Sequence, residues 1–92
     1  MLREVREIED AIGCEARLNE DSDGFIVTVR YSNSRGRRVE LFISCSPDFP
    51  DDPPVVLLAI DDRERALSSP TLRNWRPDCS LAAVAQEALA SS

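Results

Sequence analysis

Hydrophobic and polar positions change period several times along the 92-residue chain, and each change marks an element. Met1, Val5, Ile8 and Ile12, with Leu2 beside them, recur at helical spacing. They predict a helix over 2–12 whose solvated side carries Arg3, Glu4, Arg6, Glu7 and Glu9. Gly13 follows the last periodic residue, where a helix is expected to stop. Cys14, Ala16 and Leu18 then alternate with Glu15, Arg17 and Asn19, which predicts a short strand, and 19–24 (NEDSDG) reads as a turn. The clearest pattern comes next. Phe25, Val27, Val29 and Tyr31 alternate with Ile26, Thr28, Arg30 and Ser32; after NSRGR, Val39, Leu41, Ile43 and Cys45 alternate with Arg38, Glu40, Phe42 and Ser44. Period two with β-branched and aromatic residues predicts two half-buried antiparallel strands. A loop centred on Arg35 pairs Tyr31 with Val39, Val29 with Leu41 and Val27 with Ile43 on the core face. The same register sets Arg30 against Glu40 and Thr28 against Phe42 outside, so opposite charges meet.

Four of the six prolines crowd into 46–54 (SPDFPDDPP). Proline fixes φ and has no N–H, so this stretch is expected to be a rigid, partly extended crossing with Phe49 tucked inward. The apolar run 55–60 (VVLLAI) predicts a fourth strand, and 61–74 reads as polar and irregular, with a short helical turn near Arg63–Leu67. Leu81, Val84, Ala85, Ala88 and Leu89 then form the core stripe of a last helix, with Asp78 or Ser80 available as its N-cap. The expected architecture is a single α+β domain over 1–92. It has a four-stranded antiparallel meander sheet, with an N-terminal and a C-terminal helix packed on one face.

Composition narrows the chemistry. Seventeen acids against eleven bases give a net charge of -6, which argues against a nucleic-acid or anionic-membrane partner. Histidine is absent, which removes the usual general base and the His-paired nucleophiles. Every base is Arg, so no Lys exists for Schiff-base chemistry or a P-loop; an Arg-only, Ala-rich chain also suits a GC-rich bacterial genome. Cys14, Cys45 and Cys79 form no CxxC pair, and they read as small hydrophobes, with Cys14 and Cys45 expected in the core. Asp51-Asp52 and Asp61-Asp62 lack the loop spacing of a Mg²⁺ or Ca²⁺ site and read as solvated charge. No metal or cofactor is expected. The opening MLREVREIED is too charged for a signal peptide and no apolar run approaches a membrane span, so a cytoplasmic location is expected.

Three features in chain order resemble the ubiquitin-conjugating-enzyme-like fold, which includes the conjugating enzymes, their non-catalytic variants and the RWD domains. Asp48-Phe49-Pro50-Asp51-Asp52-Pro53-Pro54 looks like the family's Tyr-Pro-x-x-Pro-Pro element, with Phe49 in the place of the tyrosine. That element lies between the third and fourth predicted strands, as in the family. Trp75-Arg76-Pro77-Asp78-Cys79-Ser80-Leu81 is similar to the family's Trp-x-Pro-x-x-Thr-Leu approach to the helix behind the sheet. The resemblance implies a structural role for Phe49, Pro50, Pro53, Pro54, Trp75, Pro77 and Leu81.

The departures point away from catalysis. Active members carry a His-Pro-Asn stretch and an acceptor cysteine between the fourth strand and the tryptophan, whereas 59–74 holds neither histidine nor cysteine. Ser69-Pro70-Thr71 stands where the His-Pro-Asn element would be. Thioester transfer needs a sulfur nucleophile there and an amide donor for the oxyanion. The resemblance therefore implies a non-catalytic protein–protein interaction domain, an adaptor in a larger assembly or a binder of ubiquitin-like proteins. The alternatives are an accessory component of a bacterial ubiquitin-like conjugation pathway that assists transfer in trans, and a thiol enzyme using Cys79 near the start of the last helix. In this family the open sheet face is a recurrent docking surface. Ile26, Thr28, Arg30, Arg38, Glu40 and Phe42 are the expected partner-binding residues on it, unless the N-terminal segment or a loop covers them.

Overall fold

A computed structural model describes residues 2–21, 24–33, 35–49 and 51–91. Its elements are α1 (Leu2–Ile12), β1 (Ala16–Asp21), β2 (Gly24–Ser32), β3 (Arg38–Cys45), β4 (Val55–Ile60), β5 (Arg63–Ala66), α2 (Pro70–Arg73) and α3 (Leu81–Ser91). The strands form one antiparallel sheet in the order β1-β2-β3-β4-β5. The fold is α+β with a helix at each end, as expected, but the sheet has five strands rather than four. The fifth replaces the helical turn expected near Arg63–Leu67; the short helix instead begins at Pro70, capped by Ser69.

The β2–β3 hairpin adopts the expected register. Tyr31 lies opposite Val39, Val29 opposite Leu41, Val27 opposite Ile43, Arg30 opposite Glu40 and Thr28 opposite Phe42. Asn33 closes the loop by accepting the Arg35 and Arg37 backbone N–H groups on Oδ1, at 2.9 and 3.0 Å. β2 begins where only glycine fits: Gly24 sits at φ +122°, and a Cβ there would lie 2.0 Å from the Cys45 carbonyl oxygen.

The core lies between one sheet face and the two long helices. Val27, Val29, Leu41, Ile43 and Leu58 from the sheet are buried in one cluster with Val5 and Ile8 of α1 and Leu81, Val84, Ala85 and Ala88 of α3. Each of the Val, Leu and Ile side chains among them contributes about 1.5–3 kcal/mol by leaving water. Ser80 caps α3 by accepting the Ala82 N–H at 3.0 Å.

Several expectations shift. Leu89 is 37% exposed, because it lies about 80° around the helix from Leu81, at the margin of the apolar stripe. β1 runs from Ala16 to Asp21, two residues later than its alternation starts, so it takes in the first part of the expected turn. Cys14 is left half-buried at the α1–β1 corner rather than in the core. There Glu9 holds the corner by accepting the Ala16 N–H at 3.1 Å. Met1 and Pro50 lie outside the described residues.

Candidate docking face of the sheet

Because side chains alternate across a strand, burying Val27, Val29, Leu41 and Ile43 turns Ile26, Thr28, Arg30, Arg38, Glu40 and Phe42 to the other face. Both long helices contribute to the core on the opposite side, and the outer face stays exposed: Ile26 is 38%, Leu57 37% and Val55 62% accessible. Phe42 is half-buried at the middle, between Thr28 on β2 and Leu57 on β4. Beside it a depression of about 400 Å³ opens among Arg17, Thr28, Arg30, Glu40 and Phe42. A second, of about 540 Å³, shares Arg30 and Glu40 and reaches Arg38 and Cys14. Arg30 and Glu40 form an ion pair at 3.5 Å; both are exposed, so the pair adds only about 0–1 kcal/mol.

The six residues expected on this face do share it. Sequence reasoning missed Val55 and Leu57 from β4 and Arg17 from β1. The signal for the first two was present: an apolar run with no polar alternation, as in 55–60, covers both faces of a sheet rather than one. Arg17 follows from pairing β1 with β2, which sets it opposite Thr28.

The two proline-containing stretches converge on the rim of the core. Phe49 stacks edge-on against Phe25 with ring centroids 5.6 Å apart, and lies 5.9 Å from Trp75. Phe49 and Trp75 are half-buried and pack against the core cluster, Pro54 and Leu81 are buried, and Pro53 and Pro77 face solvent.

The interval before Trp75 is occupied by a hydrogen-bonded clasp. Pro70 begins α2, and the Ser69 hydroxyl accepts the Leu72 N–H at 3.3 Å. Thr71 Oγ1 donates to Glu87 at 2.6 Å, and the Thr71 N–H donates to the other carboxylate oxygen at 3.3 Å. Burial pushes the Glu87 carboxyl up, but hydrogen bonds from Ser69 and Thr71 and the nearby Arg73 charge outweigh it, leaving the group below its ordinary value. Glu87 was also missed; its trace in the sequence is that it is the one charged residue of α3.

The three cysteines are free, Cys45 buried and Cys14 and Cys79 half-buried. Cys45 is buried, and desolvation, reinforced by the Glu4 charge, pushes it up to about 12, so it is fully protonated at neutral pH. Cys79 is half-buried before α3, and its Sγ accepts the Arg76 N–H at 3.3 Å. Among the described residues no helix is long and apolar enough to cross a membrane. Comparison of the chain with protein families, with curated proteins and with solved structures finds no match in any of the three.

Proposed function

We propose that this chain is a non-catalytic interaction domain related to the ubiquitin-conjugating enzymes, and that it docks a ubiquitin-like protein on the outer face of its sheet. One observation carries the reading. The face opposite the helices holds Ile26, Val55 and Leu57 in solvent around Phe42, with Arg17, Arg30 and Glu40 at its margin. An aromatic and aliphatic centre with arginine at the rim is the composition of a small interface core. The stretch between β4 and Trp75 supports the non-catalytic half: it holds no cysteine, and its Ser69-Pro70-Thr71 turn is tied down to Glu87.

The test is titration of the isotope-labelled domain with a ubiquitin-like protein, followed by amide shifts. Shifts confined to Ile26, Thr28, Phe42 and Leu57 are expected, and Val55→Asp, at a position 62% exposed on the same face, should weaken binding at least ten-fold while the melting temperature stays near wild type. Shifts confined to α1 and α3 would refute the assignment of the face. Incubation with an activated ubiquitin-like protein should yield no thioester that a reducing agent cleaves; such an adduct, lost in Cys79→Ser, would refute the non-catalytic reading.

A further inference from the structure

Between β5 and α3 the chain is fastened at two points. The Leu67 N–H donates to the Val56 carbonyl at 2.9 Å, and the Trp75 ring lies 5.9 Å from that of Phe49. The segment 69–74 between them holds α2, a single turn with no buried side chain of its own, capped by the buried Ser69. Two backbone bonds close the turn: the Arg73 N–H donates to the Ser69 carbonyl at 2.9 Å and the Asn74 N–H to the Pro70 carbonyl at 3.1 Å. Isolated helices shorter than about 12–15 residues are marginal in water, so one turn persists only while the rest of the molecule holds it. That hold is concentrated on one group. Leu72 packs half-buried against the core, and Ser69 and Thr71 both bond the Glu87 carboxylate. Bonds to an ionised acceptor are roughly twice as strong as neutral ones, but these all end at one side chain and are lost with it. Alongside, a depression of about 280 Å³ is lined jointly by Leu72 and Arg73 of the segment and by Pro53, Pro54, Val55 and Leu67. Few buried apolar groups with open space beside them mark the low end of local stability. Val27, Val29, Leu41 and Ile43 of the hairpin, all 0% exposed, mark the high end.

We propose that the segment 69–74 is a strap latched by Glu87, which opens and closes as a unit while the sheet and the two long helices stay folded. Opening lifts Leu72 from its seat and widens the depression toward Val55, at 62% the most exposed large hydrophobic side chain among the described residues. The latch therefore sets how much apolar surface lies next to the outer sheet face. The device does not depend on what docks on that face.

Native-state hydrogen exchange of the intact chain at neutral pH, over a range of low denaturant concentrations, tests it. The Leu72, Arg73 and Asn74 amides, each hydrogen-bonded within the strap, report its opening, and the amides of the β2–β3 ladder report global unfolding. In the wild type the strap amides should be protected, yet exchange at least about ten-fold faster than the slowest ladder amides and depend less on denaturant. Glu87→Gln keeps the side-chain size but turns amide hydrogens toward the Thr71 donors. It should speed the strap amides at least about ten-fold more than it speeds the ladder amides. Thr71→Val should do the same from the other side of the latch. Strap amides that exchange with the ladder, with the same denaturant dependence, overturn the proposal, because the segment then opens only with the whole molecule. Strap amides with no protection overturn it too, since the latch would not be closed. So does a Glu87→Gln variant in which both sets speed up by one factor. The wild-type comparison decides by itself where a variant fails to fold.

Discussion

Asp61 and Asp62 occupy the two-residue loop between β4 and β5 with φ of 50° and 68°, left-handed values that side chains resist. Positive φ at both central positions is the backbone of the tightest hairpin turns, where Asn-Gly is the preferred pair. Asp61 gains something in return. Its carboxylate meets Arg37 at 3.1 Å and so ties this turn to the β2–β3 loop. Asp62 shows no such contact, so Asp62→Gly should relieve strain at no loss. A gain of about 0.5–1 kcal/mol is expected, read as a melting temperature higher by roughly 2–8 °C; an unchanged or lower value would show that the turn is unstrained. At this scale the sequence is only partly legible. Two adjacent aspartates suit a turn, but they suit any solvated loop as well, so they do not by themselves mark a two-residue hairpin turn. Gly13, by contrast, is readable, because the helical stripe before it ends there, and its φ is +80°.

Elements were legible in proportion to how much of their pattern serves the core. The β2–β3 register follows from alternation alone, because a slip of one residue would turn Val27, Val29, Leu41 and Ile43 to solvent. β5 had no such pattern: Arg63, Glu64, Arg65 and Ala66 are all exposed, and the strand forms because the turn delivers it to the edge of β4. Charged side chains on that edge guard its open hydrogen-bonding groups. The α2–α3 clasp was hidden for another reason, since it joins residues sixteen positions apart through one carboxylate. Its pH dependence has a definite sign. The Glu87 carboxyl is lowered in the folded protein from an ordinary value of 4.5, so its stabilisation is present above that value and is lost as pH falls through the folded one. Glu87→Gln should therefore cost stability at pH 7, and the gap to wild type should close as pH falls below 4.5 and on through the folded value. Chemical denaturation at several pH values measures it, and a gap that widens in acid would contradict the clasp.

At the scale of the molecule, the α+β class, the two terminal helices and the outer-facing set from Ile26 to Phe42 could be read in advance, whereas Val55 and Leu57 could not be assigned a face from an unbroken apolar run. The convergence of Phe49 on Trp75 was only implied, by the two stretches that contain them. It now supplies a stability test for the whole domain. A fully buried Trp truncated to Ala costs about 3–5 kcal/mol; Trp75 is half-buried, so Trp75→Ala should lose about 2–4 kcal/mol, scaled down from that range. Domains of this size hold roughly 5–14 kcal/mol in all. A large fall in denaturation midpoint is expected, and a near-normal midpoint would mean that the aromatic cluster contributes little.

Trp75 is also the single tryptophan of the chain. Any ultraviolet emission excited at the red edge of the aromatic band therefore originates from one indole, seated against Phe49 where the proline crossing meets the approach to α3. Its colour and anisotropy report on that seam alone. A melt followed by fluorescence and again by circular dichroism would show whether the seam parts with the sheet or ahead of it, with no dye or label attached.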